Sequence, residues 1–471
     1  MPNVTDSTST PTAPTAAPAD LLIKGARLLV TMDAARRELP GGWISIRAGV
    51  VEAIGEAGSE PEAVRTIDAA GCLVTPGLIN THHHIYQNLT RAFPPATQHN
   101  LFGWLTTLYP IWAHLDEEAS YLSAWVGFAE LALGGCTTTM DHLYVHPHGG
   151  GDLITAEIIA ATELGMRFHA TRGSMSRSKK DGGLPPDEVV QDNDTILAES
   201  ERLVGQHHDR SSHAMTQVAL APCSPFSVTP ELMTATAELA ERLDVRLHTH
   251  LAEDVDEDEY CLEVYGCRPL EYFENVGWGS DRSWVAHCVY PNAAEIAKMA
   301  EWGTGVAHCP SSNQMIGAGL APIREYRDAG VTVGLGCDGS SSTDSASLWM
   351  ETRNALLLAR LRGGSEAMQA REALEIATLG GAKCLGRDGV LGLLEPGSAA
   401  DLVVWAFEGV QFAGAWSDPV EALLRCGPNA AKHTIINGQL VVENGRLVNG
   451  DVEDILTRHE GVARRLQGLT V

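Results

Sequence analysis

The sequence predicts an α/β protein with a (β/α)8 TIM-type barrel at its centre and a small β-sandwich domain built from both chain ends. Three observations predict it. Strand-like and helix-like text alternate eight times through the middle of the chain. The segment holding those repeats, from His82 to Asp338, has about the 250 residues usual for such a barrel. Short apolar runs broken by glycine occur both before and after it. A doubly wound open sheet is the alternative, but no G-x-G-x-x-G follows an early strand.

In chain order, residues 1–19 are almost entirely Thr, Pro, Ala and Ser, which bury too little apolar surface to offset their ordering entropy; they are expected to be a disordered tail. Residues 20–75 hold LLIKGARLLVTM, GGWISIRAGVVEAIG and AVRTIDAAGCLVTPG, strands with turns that make the first part of the sandwich. Residues 76–384 form the barrel. Its strands are read from VTPGLINTHH, CTTTMD, MRFHATR, TQVALAPC, VRLHTHLAE, SWVAHC, GTGVAHCP and VTVGLGCD, the first reaching back across the boundary. Between them lie EEASYLSAWVGFAELALGG, ITAEIIAATELG, TPELMTATAELAERL, NAAEIAKMAEW and ASLWMETRNALLLARL, with apolar residues at three- and four-residue spacing, the period of a helix. Residues 385–471 complete the sandwich with GSAADLVVWAF and AAKHTIINGQLVVENGRLV and end in a C-terminal tail; Asn437-Gly438 is a hairpin signal.

Composition narrows the function. Among 471 residues, 44% hydrophobic and 20% charged residues argue against wholesale disorder and a disulfide miniprotein. Sixty Asp and Glu against 33 Lys and Arg leave a net charge of −27, which repels nucleic-acid phosphates and anionic lipid alike, so neither is an expected partner. The opening residues lack both the cations and the apolar core of a targeting segment, and no run approaches 18 apolar residues. A cytoplasmic protein is expected, its ten scattered cysteines being mostly buried thiols.

Barrel enzymes carry their chemistry at the C-terminal ends of the strands. Those ends here hold His82-His83-His84, then His250 with Glu253, then His287, then Asp338. Period-two alternation puts His82 and His84 on one face, where two neutral imidazoles can clamp zinc or iron(II). A single H-x-H is weak evidence, since a histidine closing a strand is often structural. Recurrence on four strand ends points to a metal hydrolase site. In the acidic run from Glu253 to Glu259, only Glu253 belongs to the motif; Asp254, Asp256, Glu257, Asp258 and Glu259 are read as capping and solvating the segment after strand five.

The segments TPGLINTHHH, HTHLAED, VAHC and LGCDG, with EPGSAADLVVW near the end, resemble the amidohydrolase superfamily over nearly the whole chain beyond residue 20. The resemblance implies His82, His84, His250 and Asp338 as metal ligands, Glu253 as proton shuttle, and His287 with Asp338 orienting the attacking water. It places His248 one layer deeper, in a structural role. Two-metal members use a carboxylated lysine ending strand four, but Lys24, Lys179, Lys180, Lys298, Lys383 and Lys432 all lie outside TQVALAPC. Cys223 occupies that region, and a thiolate there could bridge metals. The strand-five H-x-x-E with the strand-eight Asp resembles the one-metal aminohydrolases, so one divalent ion per chain is expected. Three His and one Asp accept zinc and iron(II) alike; zinc, the family's usual ion, is expected.

Substrate contacts rest on the same resemblance. Gln87 completes an H-x-H-x-x-Q arrangement similar to that of guanine deaminase-like enzymes, and its amide can pair with a ring N–H beside a carbonyl. Trp104 resembles the aromatic that walls a flat heterocycle, and Arg172 could hold a substrate carbonyl or pair with a carboxylate. Longer stretches such as NTHHHIYQNLTRAFPPATQHNLFGWLTTLY resemble a branch acting on 8-oxoguanine, near the hydroxyatrazine hydrolases and isoxanthopterin deaminases. The resemblance implies a homodimer that hydrolyses a purine-like heterocycle, 8-oxoguanine to urate and ammonia. An s-triazine, isoxanthopterin or guanine is the alternative. Ser224, Ser227, Tyr86 and Cys223 are the candidates for reading the 8-oxo group.

Overall fold

Eight parallel strands close into a barrel in the order of the chain: Leu78–Asn80, Cys136–Met140, Arg167–Ser174, Thr216–Pro222, Leu247–Leu251, Ser283–His287, Gly305–His308 and Val333–Leu335, the last pairing back to the first. This is a computed structural model, and it describes residues 17–469. Each strand-like segment of the central region supplies one barrel strand. Near-continuous burial along them follows from helices outside and packed side chains inside. The expected tail lies outside the described residues except for residues 17–19, and Ala19 already opens the strand Ala19–Lys24.

The first segment departs from its simple reading as one strand. Leu73–Pro76 pairs with Leu402–Trp405 in an end sheet, Leu78–Asn80 enters the barrel, and His83–His84 pairs with Asp338–Gly339 in a ribbon outside the barrel's own hydrogen-bond ladder. The turn from sheet to barrel falls at Gly77, where a Cβ would come within 2.0 Å of the Thr137 side chain. Only glycine allows that approach.

The chain ends form two sheets. Four N-terminal strands make one; the other joins Leu28–Val30, Glu38–Leu39 and Leu73–Pro76 to Leu402–Trp405, Ala431–Ile436, Gln439–Glu443 and Arg446–Leu447. Leu21, Ile23, Ile44 and Ile46 pack with Val74, Leu402, Val404 and Ile435 in one apolar core. Asn437 and Gly438, at φ 50° and 74°, make the two-residue turn between paired Ile436 and Gln439. Arg167, opening the third barrel strand, ties the barrel to this unit by donating to both Asp401 oxygens at 2.7 and 2.9 Å, with both residues buried.

The C-terminal segment forms the helix Val452–Leu466, which braces the turn following His84. His459 Nε2 lies 2.8 Å from Asn88 Oδ1, and Gln467 donates to the Leu89 carbonyl at 2.7 Å. Among the described residues, no helix is long and apolar enough to cross a membrane.

Candidate active site

Hydrogen bonds behind the histidines set their tautomers. The Trp284 carbonyl can only accept, so His248 Nδ1–H donates to it at 2.9 Å; His248 Nε2 therefore accepts from His82 Nδ1–H at 2.8 Å. His84 Nδ1–H donates to the His142 carbonyl at 2.8 Å and His250 Nδ1–H to the Cys223 carbonyl at 2.7 Å. All three rings consequently present an Nε2 lone pair to one point. His84 and His250 Nε2 face each other at 3.0 Å, and Asp338 Oδ1 lies 3.2 and 3.4 Å from His82 and His84 Nε2.

Converging lone pairs repel unless a cation sits among them. Donor atoms of His82, His250, His287 and Asp338 lie within 4.8 Å of one another, as do those of His82, His84, His142 and His250. Burial, the largest effect, pulls the His82, His84 and His250 rings below the ordinary histidine range and keeps them neutral, the form that binds a metal. The donor set fits one divalent cation, and the bonds behind each ring are those that orient metal-binding histidines.

Two carboxyls flank the cluster with opposite tendencies. Burial raises the Glu253 carboxyl well above the usual range, helped by the negative charges of Asp338 and Glu257. Burial also opposes ionisation of Asp338, yet set among His287, His82 and His84 its carboxyl lies well below its usual range. Such a divided pair supplies a proton carrier and a fixed anion. His287 stands between them, its Nε2 3.5 Å from Glu253 Oε1 and 3.8 Å from Asp338 Oδ2, while its Nδ1–H donates to Asn313 Oδ1 at 3.0 Å.

Backbone strain gathers at the same places. Ala252, His287, Cys288 and Asp338 have φ of 51°, 67°, 44° and 58°, left-handed values that cost a non-glycine residue about 1–3 kcal/mol. At Ala252 the device that holds the turn is visible. Glu257, fully buried, accepts the Ala252 N–H at 2.9 Å and the Glu253 N–H at 3.0 Å, one on each carboxyl oxygen. It is therefore a clasp on the Glu253 backbone, correcting its reading as a solvated residue of an acidic run.

Above the cluster lies a small, mostly apolar cavity. Leu101, Trp104, Leu105, Phe226 and Ile316 wall it, and His84, His250, Glu253, His287 and Asp338 supply its reactive side. Trp104 lines this cavity, its indole N–H donating to the Ser341 carbonyl at 3.1 Å. Gln87 is buried against Gly339 rather than in the cavity lining, and neither amide atom finds a hydrogen bond among the described residues. Cys223 lines the cavity, and burial pushes its thiol up to about 12. Ser224 and Ser227 share a 2.6 Å hydrogen bond with each other.

Arg172 is not brought to this cavity. Its side chain donates to Gln191 Oε1 at 2.6 Å and to the Gly173 carbonyl, and it lines a separate polar cavity with His146, Asp152 and Arg202. Along the same strand His169 packs towards Trp284, and three residues on, alternation turns Arg172 to the opposite face. His142, Asn313 and Tyr109 escaped the sequence reading. For His142 a signal existed, a histidine just beyond the second strand; Asn313 and Tyr109 stand on helices, where nothing local marks them.

A closed eight-stranded barrel with histidines and an aspartate converging at its strand ends defines a metal-dependent hydrolase architecture. Residues 73–441 match the amidohydrolase family, and the chain belongs to it. It is 46% identical to 8-oxoguanine deaminase from Pseudomonas aeruginosa, over 90% of this chain and 95% of that one. It is 38% identical to hydroxydechloroatrazine ethylaminohydrolase from a Pseudomonas species, over 94% and 95%. Among solved structures, atrazine chlorohydrolase from Arthrobacter aurescens complexed with zinc superposes with a TM-score of 0.89 at 37% identity, covering 94% of this chain and 100% of that one.

Proposed function

We propose that this chain is a metal-dependent deaminase that hydrolyses 8-oxoguanine to urate and ammonia. One observation carries the chemistry: Glu253, its carboxyl raised, and Asp338, its carboxyl lowered, stand on either side of His287, over imidazole donors, in one small cavity. Identity of 46% across nine-tenths of the chain supports the substrate. His82, His84, His250 and Asp338 would hold one divalent ion, and the donor set together with the zinc-complexed neighbour supports zinc. A divalent ion held there makes a water acidic enough to supply hydroxide near neutral pH.

The chain's own groups do the rest. Glu253 accepts a proton from the attacking water and delivers it to the ring nitrogen beside the amine-bearing carbon, making that carbon more electrophilic. His287, fixed by Asn313, orients the water towards the ring. As the tetrahedral intermediate collapses, Asp338 takes the proton of its new hydroxyl and passes it to the departing amine, so ammonia leaves and a carbonyl remains. Trp104 offers the flat surface against which the heterocycle packs.

The test is ammonia release by metal-replete protein from 8-oxoguanine, guanine, isoxanthopterin, cytosine and hydroxyatrazine. Turnover of 8-oxoguanine well above the others is expected. Glu253→Gln should retain its metal and lose about 10²- to 10⁴-fold in kcat. Ethylamine released from hydroxyatrazine, with 8-oxoguanine untouched, would overturn the substrate in favour of triazine hydrolysis; an unchanged kcat in the variant would remove Glu253 from its role.

A further inference from the structure

One polar group on the cavity wall has no partner. The helix Leu101–Trp112 presents Leu101, Trp104, Leu105 and Tyr109 to the cavity, residues spaced to share one face. The Trp104 indole N–H is already engaged with Ser341. On the neighbouring wall Ser312 donates to Ser342, which donates to the Gly339 carbonyl. Tyr109 is 1% exposed, and its hydroxyl makes no hydrogen bond among the described residues. A buried hydroxyl left unpaired is costly, and a native structure that keeps one calls for an explanation.

We propose that the Tyr109 hydroxyl reads the polar edge of the substrate remote from the carbon under attack, and that for a purine this edge is the 8-oxo group. The inference rests on the deaminase reading above. With the amine-bearing carbon held at Glu253 and Asp338, the five-membered ring of a purine points away from the reactive cluster, towards the wall. Tyr144, near the Tyr109 hydroxyl, and Cys223 are the other polar groups of that wall, while Leu101, Leu105, Phe226 and Ile316 are apolar. An 8-oxopurine ends in a carbonyl that can accept the phenolic O–H, while guanine ends there in a C–H that cannot. A site built to hydrogen-bond a substrate group discriminates against the analogue lacking it, because its own buried group is then left unpaired. Tyr109 thus supplies specificity and takes no part in proton transfer.

Tyr109→Phe removes the hydroxyl and keeps the ring. kcat/KM for 8-oxoguanine is expected to fall about ten-fold, the size of one buried neutral hydrogen bond, with guanine changed less than two-fold. Inhibition by urate relative to xanthine, two products differing by the same carbonyl, should lose the same factor without any turnover being needed. Tyr272→Phe is the control, because the Tyr272 hydroxyl is also buried and unpaired among the described residues but Tyr272 does not line the cavity; it should leave both ratios unchanged. Equal losses on 8-oxoguanine and guanine, or an unchanged urate-to-xanthine ratio in Tyr109→Phe, would overturn the inference while leaving the deaminase assignment standing. A metal-loaded wild type inactive on 8-oxoguanine would overturn both.

Discussion

Exchanging Glu257 for Gln separates the placement of Glu253 from the rest of the site. In the native turn one buried carboxylate accepts two backbone N–H groups, at 2.9 and 3.0 Å, and so holds Ala252 at φ 51°. The amide keeps one acceptor and turns the other into a donor facing an N–H. A hydrogen bond to a charged group is worth about 1.5–3 kcal/mol, and the opposed N–H is left unpaired. A net loss of about 2–3 kcal/mol allows the left-handed turn to relax, drawing Glu253 away from His287. If that loss falls wholly on the chemical step, kcat drops about 30- to 150-fold. Burial pushes the Glu257 carboxyl up to about 7, so the assay belongs at pH 8, where the wild-type group is ionised. The measurements are kcat and KM by ammonia release, metal content and thermal unfolding. KM and metal content should stay within about two-fold, because His82, His84, Asp338 and the apolar cavity wall stand on other segments and His250 is fixed by its own bond to the Cys223 carbonyl. A kcat within two-fold of wild type would show that the turn holds itself and refute the clasp; parallel loss of metal would show that Glu257 supports the whole cluster.

Two further outcomes concern stability. Asp401→Asn strips the buried Arg167 guanidinium of its counter-charge and should cost about 3–5 kcal/mol in denaturant unfolding, with kcat unaltered well below the melting temperature; a cost under about 1 kcal/mol would contradict the role given to this joint. Burial holds His459 at about 4 against an ordinary 6.5, so the native state binds fewer protons than the unfolded chain between those values. Its contribution, at most about 3 kcal/mol, is intact above pH 6.5 and is lost as pH falls towards 4. His459→Asn should therefore flatten the fall of Tm between pH 6.5 and 4.5, and parallel curves for the two proteins would argue against it.

The site was legible where chemistry coincides with a strand end. His82, His84, His250, Glu253, His287 and Asp338 each close a strand-like run, and the structure brings all six together. Where burial rather than position decides, the text misled or was silent. Glu257 sits in a run of acids whose composition speaks of solvent, yet it is fully buried. Arg172 ends a strand as a site residue should, but its side chain leaves by the outer face. Tyr109 and Trp104 follow the same helical period as the leucines beside them, and only the cavity distinguishes wall from core.

By itself the sequence determined what local geometry controls. Apolar runs of period two and 3.6 specified eight βα units, and Asn437-Gly438 specified a hairpin because its two residues tolerate left-handed φ. Tertiary structure alone decided which lone pairs converge. The pair His82 and His248, and the pair His83 and Asp338, stand 166 and 255 positions apart and meet only because the barrel closes. Closure also divides the two carboxyls, since it sets Asp338 among histidines from strand ends far from it in the chain, where its carboxyl is lowered, while Glu253 beside them is buried and raised.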